Sequence, residues 1–350
     1  MKAQTGVRAV IVPLENEKLS MFRIKCVVVT GPARAIFYRT LILYLAPPPN
    51  PHIMIRETPE DFVTIIRSYS PDPNKPVAAA RKDHSTFYAT FPLGERPVVE
   101  PVDIQEDLKG YWCSVPESLP GRTILFFHGG GFTMGSTEDH LGLIALIATA
   151  ARARVFSVDY RLAPEHVYPA AAEDALAAYR YLVLNELPPH QIIPAGISAG
   201  GTLVLGLLLS IREHKLLFPP AAIAMSPAVD MLFGGASVVA NKDKDWITPA
   251  WLTSIRTVYL AGHDPNDPTA SPVHANLSHL PRLYIQAGTH ELLFDDVSVF
   301  VKKAKWAGVV VRFEIWEGMF HCWQMFGEHA PEGQEALEHI GAYVQDVFTR

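Results

Sequence analysis

The sequence predicts an α/β fold built on a mostly parallel central sheet with helices on both faces. Two observations carry this expectation. From Val98 onward, short apolar runs alternate with longer stretches of helical periodicity, as in strands joined by crossover helices. The 350 residues are also 49% hydrophobic, 10% aromatic and only 19% charged, which supplies a large core and excludes a disordered chain or a coiled coil.

Taken in chain order, the N-terminal third is the least regular. Ala35 to Ala46 (AIFYRTLILYLA) is an apolar run of about twelve residues, roughly 18 Å as a helix against a hydrocarbon core near 30 Å, so it reads as a buried helix rather than a membrane span. An interfacial anchor is the other reading of that run. Proline clusters at Ala46–Pro51 and Pro71–Pro76 punctuate the chain. Between them Thr58 caps a helix starting at Pro59, with Phe62, Ile65, Ile66 and Tyr69 on one face. Residues 1–75 therefore read as an appendage and residues 76–350 as the main domain. In that domain the short apolar runs predict strands at Thr123–Phe127, Arg154–Asp159, Ile192–Ala195, Ala222–Ser226, Leu283–Ala287 and Val310–Trp316. The longer periodic stretches predict helices at His140–Ala151, Ala171–Leu184, Ala199–Arg212, Asp295–Ala307 and Gly333–Val347.

Charge and cysteine usage narrow the function classes. Thirty basic and thirty-six acidic residues give a net charge of −6, with no basic stripe for nucleic acid. The three cysteines, Cys26, Cys113 and Cys322, form no readable disulfide or zinc framework, and no secretory signal is evident, so a reducing, cytoplasmic setting is expected.

The sharpest chemical signal is Gly196-Ile197-Ser198-Ala199-Gly200, a G-x-S-x-G placed between an apolar strand and an apolar helix. Such a turn holds a serine in strained backbone geometry at a helix N-terminus, where peptide amides favour developing negative charge. A second signal supports it. His128 to Phe132 (HGGGF) follows a strand, and its uncovered N–H groups at Gly130 and Gly131, with that of Ala199, make an oxyanion hole. A phosphate loop is disfavoured, because no G-x-G-x-x-G or lysine-serine pair accompanies the glycines. His128 reads as a brace for the loop rather than a base.

A serine needs a base, and His321 is the best placed of fourteen histidines, just after the last strand and C-terminal to the serine. His140, His214 and His339 fall on predicted helices and read as solvated. The acid belongs in the loop Gly288–Asp296. Position favours Glu291, Asp295 remains the rival, and Asp295 and Asp296 read as a helix cap. His290-Glu291 is no H-E-x-x-H pair, since residue 294 is Phe, and neither metal nor cofactor is expected. Phe132, Trp246, Trp251 and Trp323 are possible substrate-pocket walls, with core packing the simpler reading of each.

HGGGF, DYRLAPEHVYPAAAEDA (Asp159–Ala175), GISAGG (Gly196–Gly201), SPAVD (Ser226–Asp230), DPTASP (Asp267–Pro272) and GMFHCW (Gly318–Trp323) together resemble the hormone-sensitive-lipase-like esterases of the α/β-hydrolase superfamily, over roughly residues 77–348. The resemblance implies an α/β-hydrolase fold, the roles argued above for Ser198, His321, Gly130 and Gly131, and a helical cap built from residues 1–75 and an insertion at about 231–258. Two positions depart from the family pattern. Ile197 stands where an aspartate is usual, and Glu291-Leu292-Leu293 where D-P-L is common. The stretch Tyr160–Glu165 (YRLAPE) reads as a structural turn in which Arg161 and Glu165 pair. The expected function is a serine carboxylesterase acting on short- to medium-chain acyl esters through a Ser198-His321-Glu291 triad. An amidase or deacetylase on the same residues, a noncatalytic small-molecule receptor and a membrane-docked lipid-binding protein are the alternatives. The expected partner is a small-molecule ester, with no transmembrane segment; weak interfacial association and a homodimer stay open.

Overall fold

A computed structural model describes residues 63–64, 66–90, 96–185 and 187–349, together with the backbone of three N-terminal strands. The chain divides after Arg56 into two compact units. In the first, β1 (Ala9–Pro13), β2 (Phe22–Val29) and β3 (Ile36–Ile42) form an antiparallel sheet in that order. The helix expected at Ala35–Ala46 is therefore corrected to a strand over Ile36–Ile42. Its run of Ile36, Phe37, Tyr38, Thr40 and Ile42 is rich in β-branched and aromatic side chains, which favour a pleated strand, and an apolar run this short carries no periodicity to separate the two states.

The second unit begins at Glu57, so the boundary expected near residue 75 falls inside it. Residues 63–64 and 66–67 are helical, with Val63 and Ile66 buried, while Thr58, Pro59, Phe62 and Ile65 lie outside the described residues. Next come α1 (Val77–Thr90) and an antiparallel pair, β4 (Val98–Gln105) and β5 (Leu108–Ser114). The rest alternates: β6 (Thr123–Phe127), α2 (Leu141–Ala151), β7 (Arg154–Asp159), α3 (Ala170–Leu184), β8 (Ile192–Ile197), α4 (Ala199–Glu213) and β9 (Ala221–Met225). An insertion carrying α5 (Ser237–Ala240) and α6 (Pro249–Leu260) precedes β10 (Arg282–Gly288), α7 (Phe294–Trp306), β11 (Val311–Trp316) and α8 (Pro331–Thr349).

The sheet has eight strands in the order β11-β10-β9-β8-β6-β7-β5-β4. From β7 to β11 every neighbouring pair is parallel. Every residue of β6, β8 and β9 is buried, as a strand covered on both faces requires. The helices pack in pairs. Gly341 of α8 approaches Ala150 of α2 so closely that an added Cβ would lie 2.4 Å from its backbone, and Gln345 donates to Ala150 O at 2.8 Å. On the α3 side, Arg161 grips the buried Asp174 at 2.7 Å and reaches Glu173 at 3.3 Å. Glu165 pairs instead with Arg81 of α1 at 2.6 Å, which corrects the expected Arg161–Glu165 pairing: after the bend Arg161 faces α3, whereas Glu165 faces α1. This topology brings the C-terminal ends of β6, β8, β9, β10 and the exit of β11 to one edge, where the chemical groups collect.

Candidate active site

Ser198 sits at the bend from β8 into α4 with φ 54° and ψ −120°, a conformation that costs on the order of 1–3 kcal/mol for a residue with a side chain. The flanking glycines have a steric cause. A Cβ on Gly196 would lie 2.3 Å from Gly200 O, and one on Gly200 would lie 2.0 Å from Phe127 O. Only glycines allow β8, α4 and the end of β6 to approach this closely. Ser198 N donates to Met225 O at 2.9 Å, which fixes the bend to β9.

The side chain of Ser198 donates to Nε2 of His321 at 2.8 Å, and His321 Nδ1 donates to Oε2 of Glu291 at 3.0 Å. The second hydrogen bond decides the tautomer, because a carboxylate can only accept; Nε2 is then free to take the serine proton. Glu291 is fully buried, and its other oxygen accepts from Gly288 N at 2.6 Å and Ser226 Oγ at 2.9 Å. Asp295 lies elsewhere, exchanging hydrogen bonds with Ser237, so the geometry brings Glu291 and not Asp295 to the imidazole. Burial opposes the His321 cation. The Glu291 carboxylate hydrogen-bonded at Nδ1 favours it and moves His321 above the ordinary imidazole range.

The triple-glycine loop faces Ser198. Gly130 has φ 115°, and a Cβ there would stand 2.1 Å from Met134 O, so no larger residue fits this turn. Among the described residues, the N–H groups of Gly130, Gly131 and Ala199 meet no acceptor. His128 is buried and braces the loop as expected, its Nδ1 donating to Gly129 O at 2.7 Å and its ring stacked on Tyr160 at 4.2 Å.

His140 overturns its expectation as a solvated helix residue. It is fully buried beside the loop, where Nε2 accepts from Gly129 N at 3.2 Å and Nδ1 donates to Ser136 O at 2.9 Å. Burial, with His128 and His84 nearby, pushes it down to about 3, so it is neutral and its acceptor nitrogen is available to the loop. Helical periodicity could not reveal this, since His140 ends a short 3₁₀ turn whose direction is set by tertiary packing. Ser226 was also missed, although it opens the quoted SPAVD run at the C-terminal end of β9. It joins Glu291 to the His321 loop by donating to Glu291 and accepting from Cys322 N at 3.2 Å.

A chamber of about 20 Å³ opens above Ser198, lined by His84, Tyr88, Trp246, Trp251, Cys322 and Met325 among others. It shares Pro71, His84 and Trp246 with a larger cavity of about 270 Å³, whose walls include Asp72, Lys75 and Asp83. Trp246 and Trp251 thus stand where pocket walls were expected. Phe132 and Trp323 do not: Phe132 stacks on Tyr259 at 3.8 Å, Trp323 packs against Trp316, and both are core residues, so that expectation is corrected. Neither ring lines the chamber; both are packed into the hydrophobic core. His214 is exposed and His339 pairs with Glu314 at 3.3 Å.

Residues 124–325 match the family described as alpha/beta hydrolase fold. The acetyl-hydrolase of Streptomyces hygroscopicus is 40% identical over 231 residues, covering 66% of this chain and 77% of that protein. The esterase of Acinetobacter venetianus is 35% identical over 228 residues, covering 65% of this chain and 75% of its own. The crystal structure of an esterase from the bacterial hormone-sensitive lipase family superposes with a TM-score of 0.80 at 35% identity, covering 84% of this chain and 100% of that one.

Proposed function

Because the chain belongs to the hormone-sensitive-lipase-like α/β-hydrolases and is a carboxylic ester hydrolase, we propose that it cleaves short-chain acyl esters through Ser198, His321 and Glu291. The single observation that carries this reading is the continuous hydrogen-bond relay from Ser198 Oγ through the His321 ring to Glu291. Ser198 attacks the ester carbonyl as His321 Nε2 takes its proton, and Glu291 stabilises the imidazolium. The Gly130, Gly131 and Ala199 amides receive the oxyanion, each donor contributing on the order of 10²–10³ in rate. The proton then passes to the departing alcohol, and water repeats the sequence on the acyl-enzyme. Of the cap expected from residues 1–75 and 231–258, the described residues 66–75 and the insertion serve to cover this site, with Pro71, Trp246 and Trp251 lining the chamber.

The acyl group occupies the inner chamber and the alcohol the larger outer cavity. The inner volume of about 20 Å³ holds one or two water-sized groups, which accommodates an acetyl methyl or a slightly longer chain but not an extended one. A series of 4-nitrophenyl esters from acetate to decanoate tests this. The expected kcat/KM peaks between acetate and butanoate and falls by about tenfold or more at octanoate; a maximum at octanoate or beyond rejects the short-chain assignment.

The pH profile follows from the site's charges. His321 acts only when neutral, and its environment favours the cation. Activity is therefore lost as pH falls, with the midpoint of the acid limb above the ordinary imidazole value of about 6.5. A kcat/KM profile on a non-ionising ester reads that midpoint, and one below the ordinary value contradicts the geometry.

A further inference from the structure

The insertion between β9 and β10 carries a buried carboxylate, Asp245, that the proposed relay does not use. Its Oδ1 accepts the His321 N–H at 3.0 Å and the Trp246 N–H at 2.8 Å, while Oδ2 accepts the Leu292 N–H at 2.8 Å. Leu292 directly follows Glu291. One carboxylate thus ties the main chain of the proposed base to the loop of the proposed acid.

The surrounding contacts have the same two targets. Ser237, Asn241 and Asp245 are spaced four residues apart, and all three grip residues 289–292. Ser237 Oγ donates to Leu292 O at 2.6 Å, and Asn241 Nδ2 donates to Thr289 O and Glu291 O, both at 2.9 Å. Trp246 Nε1 donates to His321 O at 2.7 Å, so consecutive residues hold both the N–H and the C=O of His321. The segment is anchored in turn by Arg67, whose guanidinium donates to Asp245 O and Lys242 O at 2.9 Å each, and by Ser70, which donates to Trp246 O.

We infer that Asp245 is a positioning residue for the reaction, clamping the His321 and Glu291 loops at the separation the proton relay requires. The inference rests on the triad reading above. A purely structural clasp would not need a charge here. Burial and the nearby Glu291 charge push the Asp245 carboxyl up to about 6, despite the opposing His321 and amide contacts, so its ionised form is held at a cost in stability. What the charge adds is a second negative group beside the imidazole, favouring the cation that forms when Ser198 is deprotonated. The titratable groups facing His321 are then Glu291, Cys322 and Asp245.

Asp245→Asn in the full chain tests this against 4-nitrophenyl acetate. The amide can accept on one side only and sets an N–H₂ against a backbone N–H on the other, which loosens one of the two loops. The expected result is a kcat about 10- to 100-fold lower, KM within about twofold, and an acid-limb midpoint displaced to lower pH. A folded variant with kcat within about threefold of the parent and an unmoved midpoint overturns the inference. If Asp245→Asn does not fold, amide hydrogen exchange on the unmodified protein decides. Slow exchange at both His321 and Leu292 supports the clamp, and exchange at either as fast as in an unprotected loop overturns it. Failure of the triad reading looks different, because Ser198→Ala would then retain hydrolysis, whereas failure of the clamp alone leaves an enzyme that Ser198→Ala inactivates and Asp245→Asn does not.

Discussion

Ser198→Ala should lower kcat/KM on a short-chain ester by about four to six orders of magnitude while leaving the fold intact. The side chain is small and buried, and its removal takes away one hydrogen bond, the one to His321 Nε2. Ser198 N still donates to Met225 O, so the bend between β8 and α4 keeps its support. Relief of the positive φ is not available to alanine, so the variant should unfold at nearly the parent temperature. The residual rate reports what the oxyanion amides achieve with water alone. Labelling by a serine-directed phosphonate, read as an intact-mass increment, provides an independent measure. It should be stoichiometric in the parent and absent in the variant. Unchanged hydrolysis together with unchanged labelling would place the nucleophile elsewhere.

Glu291→Gln should cost about three to four orders of magnitude at neutral pH, for a reason specific to this site. The carboxylate oxygen Oε1 receives two donors, Gly288 N–H and Ser226 O–H. A glutamine must therefore turn its carbonyl oxygen toward them, leaving its N–H₂ against His321 Nδ1. That nitrogen can then only accept, and the ring proton moves to Nε2, where it faces Ser198 and blocks proton uptake. The imidazolium also loses its counter-charge. KM should change little, since Glu291 does not line the chamber. A Gln variant within tenfold of the parent would exclude Glu291 as the acid, with about that factor being the most that a lost orienting hydrogen bond alone explains. Protein NMR gives a second measure: the deshielded Nδ1 proton of His321 should be visible in the parent and missing in Glu291→Gln.

Much of the α/β core was legible because its elements are locally consistent. Thr123–Phe127 and Arg154–Asp159 appear at their expected bounds, and the helix after Ser198 extends only one residue further. Each is an apolar run with a turn signal at its end. The elements that escaped lack such a signature. β4 has a largely exposed sequence, VVEPVDIQ, at the sheet's edge, where pairing with β5 rather than burial defines the strand. α1 has no acidic first turn and no basic last turn, so nothing in its composition marks the ends. Its helical state depends on packing, as the contacts of Phe87 with Tyr69, Trp246 and Phe326 show.

The sequence by itself determined the chemistry's local parts: a strained serine turn whose glycines are demanded by backbone approach, a glycine loop with open amides, and a histidine beyond the last strand. Local spacing can specify these because each depends on backbone conformation within a few residues. The hydrogen bond that brings Glu291 rather than Asp295 to His321, the conversion of His140 from a surface residue into a neutral brace, and the contacts of Asp245 with His321 and Leu292 depend on the tertiary structure. Those relationships join residues 11 to 76 positions apart. Several of them end on backbone amides, which every sequence position carries alike, so no residue pattern announces them; the crossing of β9, β10 and the insertion over one sheet edge does.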